Sequence, residues 1–546
     1  MENAIGISKS GKLASGKGWT GLAASLRLLA VSLLLGLMTG CGSLPPLDGR
    51  TVSTALPAAE AQATPLGKAL SPQVGKHPDK SGVYLLSDAR EAFVARVQMV
   101  EAAERTLDVQ YYIWRPDVAG NLLFAALLHA ADRGVRVRLL LDDNNTAGLD
   151  EMLAALDAHP LIEVRLFNPL AIRNPRALGY VGNLSRMNRR MHNKSLTADN
   201  AVTIVGGRNI GDEYFGESDG PLFEDLDVLA IGPVVGDVSA DFDLYWSSAS
   251  SYPADRLLPP ASPEAVREKA DSWAELERSP QASHYAEAAR ASPLRRDLLR
   301  GTLDLDWAGT RMVSDDPAKG LGQAPPDMLS PEQLKRIIGM PTAEMDLVSS
   351  YFVPTDSGVG AFQALSGKGV TIRILTNSLE ATDVPAVHAG YSKRRKPLLE
   401  AGVKLYEMKR TAPPRERRFG RGSGRKRTGG LLGSSSSSSS LHAKTFSVDG
   451  SSVYVGSFNF DPRSSRLNTE LGFVIGSPRL AREIEQAFDT TVPAASYEVK
   501  LSDTGDIYWV EQKDGQTVRH DTEPGTTFWQ RLKVRMLSLL PIDWLL

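Results

Sequence analysis

The chain has 546 residues, 42% of them hydrophobic, enough for one large or two medium domains with proper cores. A formal net charge of -2 gives no overall basic bias of the kind that holds nucleic acid by its phosphates. One cysteine, Cys41, excludes an internal disulfide.

Residues 1–41 carry Lys9, Lys12, Lys17 and Arg27, then the apolar run "LLAVSLLLGLMTGC". A basic region, a short apolar run and small residues predict a secretory signal, too short to span a membrane comfortably. Its end, Thr39-Gly40-Cys41, resembles a bacterial lipobox, with Met38 where leucine is usual. In such signals the cysteine is lipidated and becomes the new N-terminus. That implies a protein of the bacterial cell envelope, membrane-associated and lipid-anchored on the periplasmic side. An uncleaved anchor would also leave the body outside the cytoplasm; a start at Met38 would not. Residues 42–84, rich in Pro, Ala, Ser and Gly, predict a tether rather than core.

A first globular half is expected over 85–249. "TLDVQYYIW" (106–114) predicts a strand and "GNLLFAALLHAADRG" (120–134) a helix stopping at Gly134. "VRVRLLLDD" (135–143) and "IEVRLFN" (162–168) predict further strands. Residues 250–330 are polar and predict a helical connector. A second half, 331–500, repeats the order: "EMDLVSSYFVP" (344–354), "GVGAFQALSGKG" (358–369), "VTIRILTNS" (370–378) and "GVKLYEM" (402–408). A basic, Ser-rich low-complexity insertion, expected to be disordered, occupies 411–440, and a C-terminal segment with an amphipathic tail fills 501–546. Strands alternating with helices, twice over, imply an α/β fold: two similar halves, each a mixed sheet flanked by helices.

One spacing recurs without a gap. His192, Lys194, Asp199, Gly206, Gly207 and Asn209 match His442, Lys444, Asp449, Gly456, Ser457 and Asn459 at an offset of 250 residues. His-x-Lys in a strand puts both side chains on one face. The small pairs, each after a strand-like run, let the backbone pass close to a ligand. Asn209 and Asn459 could then donate to phosphoryl oxygens.

Two copies suggest one shared site on a pseudo-twofold axis, holding two imidazoles, two ammoniums and two amides. That set suits a phosphodiester. Lysines and amides offset the charge on pentacoordinate phosphorus. One neutral histidine attacks phosphorus and forms a phosphohistidine; the other protonates the leaving alkoxide. Asp199 and Asp449 are expected to orient the histidines, as the third member of a triad does. No metal and no cofactor are implied, because the lysines supply the positive charge and would repel a metal ion.

At these residues the sequence resembles the phospholipase D superfamily, over about 85–500, and within it the bacterial cardiolipin synthases of the C type. "LDVQYYIW", "RMHNKS", "VGGRNIGDEYF", "LTNSLEATDVPAVHAGY", "SLHAKTFSVDG", "GSFNFDPRS" and "LNTELGFVI" carry the likeness. It implies two superfamily halves packed about a pseudo-twofold axis with one active site. It also implies transfer of a phosphatidyl group onto phosphatidylglycerol, with phosphatidylethanolamine as donor. The superfamily's catalytic roles fall on His192, Lys194 and Asp199 and on His442, Lys444 and Asp449. Glu470 looks like the acidic residue that holds a histidine; Asp225 and Asp227 both remain open as its first-half counterpart.

Phospholipid substrates and a membrane surface are the expected partners, with no nucleic acid; an accessory protein stays open. The same residues would serve a phospholipase D hydrolase, with water as acceptor, or a nuclease. In "TTFWQRLKVRMLSLLPIDWLL" (526–546), one apolar helical face admits two readings: a tail lying in the bilayer interface, or a helix capping the core. The arginine-rich stretch from Arg415 to Arg427 is either a solvated loop or an attractor of anionic lipid.

Overall fold

A computed structural model describes residues 43–180, 184–216, 223–410 and 440–541. The signal segment, Cys41 and nearly all of the 411–440 insertion lie outside them. A small unit takes in the described residues up to Pro46 and the segment from Leu170, with a short helical turn at Arg176–Tyr180. The larger unit, Leu47–Pro169 with Leu184 onward, carries everything below.

The first half contains β1 (Ser81–Leu86), β2 (Thr106–Tyr111), β3 (Arg136–Asp142), β4 (Ile162–Phe167) and β5 (Ser195–Ala198). It continues with β6 (Val202–Gly206), β7 (Phe223–Glu224), β8 (Asp227–Ile231) and β9 (Ser251–Pro253). The connector adds β10 (Asp306–Ser314). The second half has β11 (Glu344–Ser349), β12 (Thr371–Asn377), β13 (Lys404–Met408), β14 (Ser440–Leu441), β15 (Lys444–Val448), β16 (Ser452–Gly456) and β17 (Leu471–Gly476). Then come β18 (Ser496–Leu501), β19 (Ile507–Lys513) and β20 (Gln516–His520).

Pairings run continuously through 18 strands, in the order β9-β4-β3-β2-β5-β6-β8-β1-β10-β17-β16-β15-β11-β12-β13-β18-β19-β20. The run β2-β3-β4 is parallel, and so is its counterpart β11-β12-β13. The predicted strands and helices are present within a few residues. The helix Val118–Asp132 is capped by Asp117, whose carboxylate accepts from Gly120 N, and it ends before Gly134 at φ +97°.

Equivalent buried ion pairs pin the register of each parallel set. Arg138 on β3 grips Asp108 on β2 at 2.6 and 2.8 Å, and Arg373 on β12 grips Asp346 on β11 at 2.6 and 2.7 Å. Each pair lies directly opposite across its ladder. Each half has its own apolar core. A third cluster, including Val205, Val228, Val455, Phe473 and Ile475, joins them through β6, β8, β16 and β17.

Two expectations need correction. Residues 47–80 are no tether: helix Pro65–Val74 buries Leu66 and Leu70 in the first core. Backbone carbonyls of Thr51, Ser53 and Thr54 accept from Arg165, Arg138 and Arg136. Here the composition misled, because apolar residues at helical spacing sit among the prolines. The connector is helical over 263–300, but it closes with β10, which pairs with β1 on one side and β17 on the other. It thus stitches the halves into one sheet.

Candidate active site

β5 begins three residues after His192 and β15 two after His442, and their hairpin partners β6 and β16 lead to the small-residue pairs. The backbone before each histidine is held in the same way in both halves. Asp142, at the end of β3, accepts from Met191 N at 2.8 Å; Asn377, at the end of β12, accepts from Leu441 N at 3.0 Å. Main-chain bridges then cross between halves. His192 N donates to Thr469 O at 2.9 Å, and His442 N to Glu224 O at 2.8 Å. The short parallel pair β7–β14 fixes the second crossing.

These bridges set each imidazole against a carboxylate of the opposite half. His192 Nδ1 lies 2.8 Å from Glu470 Oε2, and His442 Nδ1 lies 2.5 Å from Asp225 Oδ2. The carboxylates thus engage Nδ1 and orient Nε2 as the reactive nitrogen. A tyrosine ring packs edge-on against each imidazole: Tyr112 at 4.9 Å from His192, Tyr214 at 5.4 Å from His442. Lys194 Nζ donates to His192 O at 2.5 Å, and Lys444 Nζ to His442 O. Both lysines are almost fully buried, and Lys444 acts electrostatically on Lys194, so the two share one pocket.

The electrostatics follow from that burial. Desolvation, then Lys194 and Lys444, hold the His192 imidazole well below its usual value. Desolvation and Lys444 lower His442 to about 4 against the pull of Asp225. Both rings are neutral at pH 7, as a nucleophile requires. Burial raises Glu470 to about 7, and burial lowers Lys194 to about 7. Asp225 is held well below the carboxylate range: His442 and Lys444 outweigh its desolvation.

Glu470, expected to hold a histidine, does so; of Asp225 and Asp227, only Asp225 does. Asp227 is committed to Arg96 and Arg208 at 2.8 and 3.3 Å. The motif aspartates behave otherwise than expected. Asp199, at φ +52°, accepts from the backbone N–H groups of Glu104, Arg105 and Thr106 at 2.8–3.0 Å. Asp449, also at φ +52°, accepts from those of Thr342, Ala343 and Glu344. Each sits in the hairpin turn between two strands, so its carboxylate faces the entry to β2 or β11 and not the histidine.

The glycines also serve a neighbour other than a ligand. A Cβ on Gly207 would stand 2.1 Å from Asp225 Oδ1, and one on Gly206 2.2 Å from Asp227 Oδ1. They admit the carboxylates that hold His442 and the two arginines. At the equivalent of Gly207, Ser457 Oγ instead donates to Glu470 Oε2 at 2.5 Å. Asn209 spends its Nδ2 on Tyr214 Oη at 3.1 Å, and its Oδ1 accepts from Ile113 N. Asn459 Oδ1 accepts from Ser350 Oγ at 2.9 Å.

Sequence reasoning did not find Asp142, Asn377, Tyr112, Tyr214 or Asp315. Asp315, just after β10, accepts from Glu470 N at 2.8 Å and from Lys319 Nζ at 2.9 Å. Asp142 and Asn377 were detectable, since both end the strand of the same repeated unit; Asp315 has no counterpart in the repeat.

The family model described as "Cardiolipin synthase, PLD-like domain" matches residues 97–243 and 334–492, one match on each half. The chain belongs to this family. Among its relatives, cardiolipin synthase C of Escherichia coli is 50% identical over 481 residues, covering 88% of this chain and 99% of that protein. An uncharacterized protein of Helicobacter pylori is 29% identical over 485 residues, covering 88% and 92%. Among solved structures, phosphatidylserine synthase of Haemophilus influenzae aligns over 87% of this chain and 99% of its own, with TM-score 0.52 and 12% identity. At that identity the likeness concerns the fold alone.

Proposed function

We propose that the protein is a cardiolipin synthase-like phosphatidyltransferase that moves a phosphatidyl group onto the headgroup of phosphatidylglycerol. The observation that carries this reading is the pair of imidazoles, each held at Nδ1 by a carboxylate of the opposite half. The half-identical cardiolipin synthase C supports the choice of lipid. The donor is phosphatidylethanolamine.

One imidazole Nε2 attacks phosphorus as the P–O bond to the departing headgroup breaks, giving a phosphohistidine. The other, His192, delivers its Nε2 proton to the leaving alkoxide while its Nδ1 takes up the proton that burial keeps on Glu470. His192 then takes a proton from the hydroxyl of phosphatidylglycerol, whose oxygen displaces the first histidine. Lys194, Lys444 and the Asn459 amide stabilise the equatorial phosphoryl oxygens. Asp225 and Glu470 fix the ring orientations.

The test is turnover in mixed vesicles of labelled phosphatidylglycerol and phosphatidylethanolamine, with His192→Asn and His442→Asn beside wild type. Cardiolipin from wild type alone, with ethanolamine released only when phosphatidylglycerol is present, is the expected result. Phosphatidic acid without cardiolipin would make the protein a hydrolase.

A further inference from the structure

Among the described residues no helix is long and apolar enough to cross a membrane. One helix is nevertheless apolar on the wrong side for a soluble surface. The C-terminal helix Phe528–Ser538 opens with a capping box, Thr527 and Gln530 bonding reciprocally. It packs inward through Val534 and Leu537 on Leu379 and Ala389, the latter in helix Pro385–Ser392. Its base is fixed by Glu523, which binds His388 at 3.2 Å and Arg395 at 2.5 Å. That anchoring uses only one side of the helix.

The opposite side carries Phe528, Trp529, Leu532, Met536, Leu539 and Leu540. At 3.6 residues per turn, and with the last two continuing the turn, they fall within an arc of about 120°. Trp529 is 73% and Leu539 81% exposed. Large exposed hydrophobics are otherwise scattered: five of the twelve on the described surface lie here, within thirteen residues. Lys533 and Arg535 flank the apolar arc on its two sides, and no acidic residue interrupts the helix. A capping helix would turn this face to the core, so the structure decides between the two readings of the tail against a pure cap.

Its position matters as much as its composition. Leu379, beneath the helix, begins the loop that carries Asp383. Asp383 accepts from Tyr351 Oη at 2.8 Å and also acts electrostatically on Lys444. Tyr351 in turn lies near Tyr112 and Tyr214, the rings packed on the two histidines. The exposed apolar face and the active-site residues are therefore joined through one short loop.

We propose that the C-terminal helix docks the protein on an anionic lipid bilayer, its apolar arc in the acyl boundary and Lys533 and Arg535 at the phosphates, so that the active-site mouth faces the leaflet holding its substrates. The proposal rests on the phospholipid reading of the active site. Charge selects the occupant: cations beside a Trp- and Leu-lined arc match an anionic interface.

The test uses the full chain with vesicles whose phosphatidylglycerol has brominated acyl chains. The emission that Trp529→Phe removes should be quenched in the wild type, and at least tenfold more lipid should be needed with neutral phosphatidylcholine vesicles. In Leu539→Ser/Leu540→Ser and in Lys533→Glu/Arg535→Glu, turnover on vesicles should fall at least tenfold further than turnover in detergent micelles. These residues are exposed, so the variants fold. An unquenched Trp529, or vesicle turnover falling no further than micelle turnover in both variants, overturns the proposal. So does a wild-type dimer that Leu539→Ser dissociates, since a second copy would then cover the face. Quenching with no turnover in vesicles or micelles leaves docking standing and sinks the catalytic reading instead.

Discussion

A histidine that attacks phosphorus must be neutral, while the group that protonates the leaving oxygen must hold a proton, and the same pocket has to satisfy both. Burial beside two ammoniums keeps the imidazoles unprotonated, His442 down to about 4. Burial also retains a proton on Glu470, raised to about 7, and loosens the one on Lys194, lowered to about 7. The signs predict a bell. kcat/KM should rise as pH passes about 4 and His442 is freed of its proton. It should fall as pH passes about 7 and the Glu470–Lys194–His192 group loses one. Glu470→Gln removes the titrating carboxyl and should displace the alkaline limb by about one unit or more. Superimposable profiles for wild type and Glu470→Gln would refute this account. The histidines and lysines were legible in sequence because they recur at one offset. The choice between Asp225 and Asp227 was not: the carboxylate stands 18 residues after Gly207 but 13 after Ser457, so the repeat gives no register there.

The hairpin is the element that turns the motif into a site. Its aspartate looks catalytic in sequence because it sits at fixed spacing from the histidine. That spacing is the length of one strand, and the turn aims the carboxylate at the neighbouring strand's amides. Asp199→Asn should therefore weaken the fold, by about 1–3 kcal/mol for charge-assisted bonds, and leave kcat of the folded protein within about tenfold. Gly207→Ala should do the reverse. Its methyl group would collide with Asp225 Oδ1, push that carboxylate off His442, and lower kcat by about 10–100-fold with little change in Tm. Thermal melts beside kcat separate the two. Wild-type turnover in Gly207→Ala, or a loss in Asp199→Asn as deep as in His442→Asn without a lowered Tm, would undo the assignment. No sequence pattern shows which backbone a turn carboxylate will face, since that depends on strand order.

At the scale of the whole molecule, duplication was visible and the joining of the copies was not. Repeated strands and motifs announce two similar halves. The connector's β10 is just one more stretch of alternating residues, and its place between β1 and β17 depends on contacts more than 150 residues distant in sequence. That joining decides how the site is assembled. His192 meets Glu470, and His442 meets Asp225, within one chain and across one continuous sheet. Each half thus lacks the carboxylate its own histidine needs. A mixture of His192→Asn and His442→Asn proteins should consequently stay inactive, because every molecule keeps one defective half of its only complete site. Restored cardiolipin formation on mixing would mean that halves exchange between chains or that the working site spans two molecules. The measurement is turnover of the equimolar mixture against either variant alone, at rising protein concentration. A site formed within one chain gives a flat line near zero, and a site formed between chains gives activity that climbs with concentration.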